Sequence, residues 1–176
     1  MFIGTENGFE LDRAPTRIEA LVMLIRLLGV ENDAKNGTWS HPFTDVPDWA
    51  APYVGYAYEK GLTAGVSDTL FGTDELSNAA QYLTFVLRAL GYSDADGDFV
   101  WNKSNEKAAE IGLIGADDYP DLENGEFLRA DTVIISYSAL SVRMKDTKTT
   151  LVASLIDKGA VDAALAADLG LIEIKE

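Results

Sequence analysis

From Ile18 to Leu28 the chain is apolar at every position but Glu19 and Arg26, and the run is bounded by Thr16-Arg17 on one side and Gly29 on the other. So many apolar positions exceed the single stripe of a surface helix, so this helix should be enclosed by protein on most sides. Thr16 and Glu19 stand in the S/T-x-x-E relation of a capping box, where the hydroxyl and the carboxylate each satisfy a backbone N–H at the helix start. The spacing predicts a helix from about Arg17 to the stop at Gly29. The pattern recurs. Sixty-two residues after Thr16 stands Asn78, and the same interval separates Gly29 from Gly91, with an apolar run and a capping pair Asn78/Gln81 between them. A looser third copy begins at Leu128-Arg129-Ala130-Asp131 and runs to Leu140. Repetition at a fixed period implies one supersecondary unit stacked on itself, because a single unit cannot bury its own apolar face.

Between these runs the pattern becomes amphipathic. Trp49, Tyr53, Tyr56, Ala57 and Lys60 follow helical spacing and end at Gly61-Leu62. Ala108 to Gly112-Leu113 repeats that ending. The polar stretch from Glu31 to Pro42, with Asn32, Asp33, Asn36 and Gly37, reads as a connector. A full unit is therefore an amphipathic helix, a Gly-Leu turn, a loop and a capped apolar helix. The expected fold is all-α and single-domain over residues 1–176, with three central helices starting near Arg17, Ala79 and Arg129.

At 176 residues and 47% hydrophobic composition the chain can build a sizeable core. A formal charge of −15 and a pI near 4.3 argue against a nucleic-acid partner, since a phosphate footprint needs a basic face. That charge serves solubility or an acidic binding surface. The absence of cysteine fits a cytoplasmic protein, and equally an extracellular one with a core large enough to need no disulfide. No stretch reaches the roughly 20 apolar residues of a membrane span. Met1-Phe2-Ile3-Gly4 lacks the basic start and longer apolar run of a signal peptide, so a secreted parent would carry its targeting segment elsewhere.

The inventory for catalysis is poor. One histidine, no cysteine and no nucleophile motif leave no ground for a triad or a zinc site, and no cofactor or metal is expected. Carboxylate pairs able to hydrolyse a glycosidic bond exist in any acidic protein, but spacing singles out none. Asp94-Ala95-Asp96-Gly97-Asp98 has only a superficial likeness to a calcium loop, because its glycine stands at the fourth position and an EF-hand needs it at the sixth.

The linked set Phe43-x-Asp45-Val46, Trp49-Ala50, Gly61-Leu62-x-x-Gly65, Phe71, then Thr16-Arg17-x-Glu19 and a Leu-Gly stop resembles the S-layer homology module. The resemblance covers about residues 2–144, as a partial module (about 1–30) and two full ones (43–92 and 99–144). It implies a pseudo-threefold spindle, with the capped helices in a central three-helix bundle and the amphipathic helices outside. It also implies a bacterial surface protein, anchored non-covalently to a secondary cell-wall polysaccharide or other peptidoglycan-associated glycan, often pyruvylated, in grooves between modules. Two rivals stand beside that reading: a cell-wall glycosidase or lyase using a carboxylate pair, and a degenerate module kept for protein assembly.

By the same resemblance Arg17 and Arg129 contact the acidic sugar, as a guanidinium can through paired charge-assisted hydrogen bonds. The alternative for each is an internal salt bridge. Glu19 and Asp131, two residues after each arginine, belong to the candidate site, although Glu19 and Thr16 read foremost as caps. Asp45 either contacts ligand or caps the helix beginning near Trp49, and the cap is preferred. Trp49 and Trp101 either stack on sugars or join the core, and their helical spacing favours the core. In the second module Ala79 stands where the arginine would be, so its groove should lack the anion contact. If arginine and cap are separate devices, Arg17→Ala or Arg129→Ala should cost binding and little stability, and Thr16→Ala the reverse.

Residues 149–176 offer a replacement for the missing front half of the first module. Ala166-Ala167-Asp168-Leu169-Gly170-Leu171-Ile172 parallels Ala108-Ala109-Glu110-Ile111-Gly112-Leu113-Ile114, and Leu151, Leu155 and Ile156 form a helical stripe before it. The segment docks beside the first module, or forms an appended pair of helices, or reaches a neighbouring chain to make a swapped dimer.

Overall fold

The computed structural model describes residues 4, 8–115, 122 and 125–173. The first residues of the partial module, 1–3 and 5–7, lie outside that set. Among the described residues there are eight α-helices and no strand ladder: α1 (Arg17–Leu27), α2 (Glu31–Asn36), α3 (Ala51–Glu59), α4 (Ala79–Ala89), α5 (Ser104–Glu110), α6 (Arg129–Ser141), α7 (Leu151–Asp157) and α8 (Ala163–Asp168). The fold is all-α.

Local chemistry sets the central helices. Thr16 Oγ1 accepts the Glu19 N–H at 3.4 Å while Glu19 Oε2 accepts the Thr16 N–H at 2.9 Å. Asn78 and Gln81 make the same reciprocal pair at the start of α4, at 2.9 and 3.2 Å. In α6 only half of the device remains: Asp131 Oδ2 accepts the Leu128 N–H at 2.7 Å, and Leu128 has no acceptor to return. Gly29 takes φ +70 at the end of α1, a left-handed conformation that glycine adopts without the Cβ penalty, so Val30 N–H can reach back to Ile25 C=O at 3.2 Å.

These three helices pack on one another in all three pairings and carry the core. Leu21, Leu24, Ile25 and Leu27 of α1, Leu83, Phe85 and Leu87 of α4, and Ile135, Ala139 and Leu140 of α6 are all buried. Each such large side chain contributes on the order of 1.5–3 kcal/mol relative to exposure. The amphipathic helices lie outside, α3 on α1, α5 on α4 and α7 on α6. Each ends in one turn, in which two successive N–H groups share a carbonyl: Leu62 and Thr63 on Ala57, Leu113 and Ile114 on Ala108, Ala160 and Val161 on Leu155.

The segment before α4 runs along the start of α1, where Arg17 N–H reaches Glu75 C=O (2.8 Å) and Ile18 N–H reaches Thr73 C=O (3.3 Å). Sixty-two residues earlier in the acceptor, the segment before α1 lies along the start of α6 in the same way. Arg129 N–H reaches Arg13 C=O (2.9 Å) and Ala130 N–H reaches Leu11 C=O (3.1 Å). The first repeat is thereby brought back onto the third.

Part of the polar connector is helical. Glu31–Asn36 forms α2 because Ala34 is fully buried and the helix packs on α3, with Glu31 and Lys35 paired at 2.9 Å across one turn. Tertiary burial overrides a weak local preference here. The C-terminal segment packs within its own chain. Besides the contact of α7 with α6, Ala160 sits so close to Gly29 that a Cβ at Gly29 would collide with it, and Tyr137 Oη donates to Leu169 C=O at 3.0 Å.

Candidate functional site

Each central helix lines a groove at the same four positions, i, i+3, i+4 and i+7. On α4 these are Gln81, Thr84, Phe85 and Arg88; on α1, Glu19, Val22, Met23 and Arg26; on α6, Asp131, Ile134, Ile135 and Ser138. The spacing puts all four on one helical face. The grooves on α4 and α1 have cavity volumes of about 270 Å³ each, and that on α6 about 250 Å³.

The first helical residue of a neighbouring central helix closes the end of a groove. Arg17 of α1 does so for the α4 groove, and Arg129 of α6 for the α1 groove. Trp101 and Trp49 complete them. These tryptophans are 54% and 59% exposed, so neither joins the core as its spacing had favoured. Both lie outside their helices, Trp101 opening a short 3-10 turn before α5 and Trp49 just ahead of α3, where helical periodicity no longer fixes direction. The α6 groove includes neither arginine nor tryptophan among its described lining residues, and is walled by Leu113, Ile114 and Leu122.

Arg17 is 5% exposed. Its Nε donates to Phe71 C=O at 2.9 Å, and its guanidinium carbon lies 5.2 and 4.8 Å from the ring centroids of Phe71 and Phe85. No carboxylate comes within 4 Å of it among the described residues, so the expected alternative of an internal salt bridge does not apply to this arginine. Burial, reinforced by the nearby charge of Arg88, pushes its guanidinium down to about 10, with Glu75 and Asp45 acting the other way from a distance. It remains charged at neutral pH. So deeply packed an arginine bears on the fold as well as on a ligand, and its burial argues against the expectation that Arg17→Ala would leave stability almost unchanged.

Asp45 explains how Arg17 is held. The helix α3 starts from Ala50 with no side-chain cap, so Asp45 is not the cap it was expected to be. Its Oδ1 accepts the Phe71 N–H at 2.7 Å and its Oδ2 accepts the Gly72 and Thr73 N–H groups at 2.7 and 3.1 Å. Burial pushes this carboxyl up, but the three N–H groups outweigh it and hold it below the usual range. Asp45 thus fixes the peptide whose carbonyl receives Arg17.

Arg129 is placed alike, with Nε donating to Phe9 C=O at 3.0 Å, the counterpart of Phe71 sixty-two residues earlier. Here an internal ion pair does form, Arg129 Nη1 to Glu19 Oε1 at 3.5 Å. Burial pushes the Glu19 carboxyl up, yet paired hydrogen bonds from Arg13 at 2.6 and 2.8 Å, the Thr16 N–H and the charges of Arg13 and Arg129 together hold it low. Asp131, the equivalent acid on α6, lines its groove while capping Leu128.

Two further arginines belong to the grooves and were not singled out from the sequence. Arg88 grips Asp94 through two bonds of 2.8 Å, and Arg26 pairs with Glu31 at 3.1 Å. Hydrogen bonds from Arg26 and then Lys35 bring Glu31 down to about 2. Their signal was the shared Arg-x-Leu-Gly ending of the two runs. The acids of the calcium-like loop are likewise engaged, Asp94 by Arg88 and Asp98 by Lys145 at 2.6 Å. Among the described residues no three potential metal ligands cluster, and each groove is lined by a single carboxylate. No helix among them is long and apolar enough to cross a membrane.

Residues 42–76 match the family model described as the S-layer homology domain. A "Cell surface protein" of Thermoanaerobacter kivui is 34% identical over 161 residues, covering 88% of this chain and 20% of that protein. A "Middle cell wall protein" of Brevibacillus brevis is 27% identical over 181 residues, covering 95% and 17%. An "Endoglucanase" of a Bacillus species is 34% identical over 77 residues, covering 44% and 8%. The chain thus spans about a fifth or less of the length of these relatives.

Proposed function

We propose that this chain, whose residues 42–76 match the S-layer homology domain and which is similar to proteins of the bacterial cell surface, is a non-catalytic anchor binding an acidic secondary cell-wall polysaccharide. The observation that carries the proposal is Arg17: a buried guanidinium at the end of a groove, held by a carbonyl and two rings and unmatched by any nearby carboxylate among the described residues. A buried charge without a counterion is costly. A sugar acid entering the groove would supply the counterion, and the exposed Trp101 beside it offers a face for the sugar ring. The α1 groove, with Arg129 and Trp49, forms a second site of the same make. The α6 groove, where Ala79 and Ser138 stand in the arginine positions, contributes no acid-sugar contact.

In this reading residues 1–176 act as one unit of three modules, 1–30, 43–92 and 99–144, with 149–176 supplying the outer element of the first. A glycosidase would need two carboxylates facing each other across a cleft, and the single acids of the two arginine grooves are tied to arginines. Sedimentation with cell walls tests the proposal. The purified protein should pellet with native walls and stay in solution with walls stripped of their polysaccharide; equal partition onto both would overturn it.

A further inference from the structure

The two arginine grooves are equal in volume and each is lined by one carboxylate, Asp94 beside the α4 groove and Glu19 in the α1 groove, but along the helix face itself they differ in charge at one place. Where α4 carries Gln81, α1 carries Glu19, and the Glu19 carboxylate reaches the arginine at its groove's end while Arg17 meets none within 4 Å among the described residues. We infer that Glu19 is a specificity-determining residue that occupies Arg129 and makes the α1 groove the weaker site for an acidic sugar, leaving the α4 groove as the primary anion site. This rests on the reading of both grooves as acid-sugar sites.

Capping does not require the charge. Gln81 closes the start of α4 through its side-chain oxygen, accepting the Asn78 N–H at 3.2 Å, as Glu19 accepts the Thr16 N–H at 2.9 Å. The chain therefore shows that glutamine serves at this position. What the carboxylate adds is a competitor: one acceptor oxygen lies 3.5 Å from Arg129, and both are bound by Arg13 at the rim. An incoming sugar carboxylate must share Arg129 with an anion already present and is repelled by it. The penalty for two like charges several ångströms apart at a half-wet site corresponds to about a tenfold change in affinity. In the α4 groove the acid present, Asp94, is taken up by Arg88 through two bonds, and Arg17 is left to the ligand.

The reciprocal swap tests this, because both variants keep a capping side chain. Calorimetric titration would use a methyl glycoside bearing a pyruvate ketal, with the ketal-free glycoside as control. Wild type should show two unequal sites. Glu19→Gln should tighten the weaker about tenfold and leave the stronger unchanged, and Gln81→Glu should weaken the stronger about tenfold. Thermal melts of each variant establish that it is folded. If both swaps leave the two constants within about twofold of wild type while Arg17→Met still removes the stronger site, the role given to Glu19 is wrong and the arginine reading stands. If neither Arg17→Met nor Arg129→Met removes a site, the arginine reading itself fails and this inference with it.

Discussion

Replacing Arg17 by methionine separates what this residue does for the fold from what it does for a ligand. Methionine retains the unbranched apolar stem that packs on Phe71 and Phe85 and removes the charge. In the wild type, burial brings the guanidinium down to about 10 from 12.5, which corresponds to about 3 kcal/mol against holding the charged form in the fold at neutral pH. A cation with a lowered folded pKa destabilises the fold wherever it is charged, so that penalty is present in full at pH 7 and vanishes in the variant. Against this, the Phe71 carbonyl loses its donor, at about 1–3 kcal/mol, and the two ring contacts are lost at roughly 0.5–2 kcal/mol each. The terms oppose each other and should leave stability within about 2 kcal/mol of wild type, a melting shift of less than about 8 °C for a chain of this size. Alanine would add a cavity costing about 2–5 kcal/mol and would melt clearly earlier. Binding has no such cancellation. Losing the desolvated partner of a sugar carboxylate costs about 2–5 kcal/mol, at least a tenfold loss at the α4 groove. Thermal melts and calorimetric titration with the pyruvate-ketal glycoside, run on wild type, Arg17→Met and Arg17→Ala, provide the measurement. Unfolding of Arg17→Met, or undiminished affinity in it, would refute the reasoning.

Asp45→Asn turns one of three accepted N–H bonds into a donor facing a donor; it should cost about 2–3 kcal/mol and lower the melting temperature by about 5–10 °C. Because the Asp45 carboxyl is held below its usual range, its contribution is present above about pH 4 and lost as the pH falls through the lowered value; melts at successive acid pH values should therefore fall less steeply in the variant. Trp101→Ala removes an exposed side chain, so the melt should move by less than about 2 °C while titration shows affinity lower by about 1–2 kcal/mol. Truncation after Lys148 should give a monomer by light scattering that melts earlier than wild type, since α7 packs on α6 of its own chain; a wild-type dimer that dissociates on truncation would contradict that packing.

The devices legible in the sequence all act over a few residues. Thr16 with Glu19, Asn78 with Gln81 and the glycine stops close their hydrogen bonds within one helical turn, so their spacing alone fixes where helices begin and end, and the sixty-two-residue interval shows that the unit is repeated. The nearly all-apolar runs then require those helices to lie inside. How the groove arginines are held and paired was decided by contacts between residues far apart in the chain. Arg17 meets Phe71 at a separation of 54 residues, and Arg129 meets Phe9 at 120. Nothing local distinguishes the two arginines, since both open helices with an acid two positions later. The packing of one repeat on the next sets a carboxylate against Arg129 and leaves Arg17 with a carbonyl and two rings, and turns Asp45 from an expected cap into the clamp on the Phe71 peptide. The exposure of Trp49 and Trp101 has the same origin: each stands before its helix begins, where the seat of a side chain is decided by the neighbouring repeat and not by the helical period.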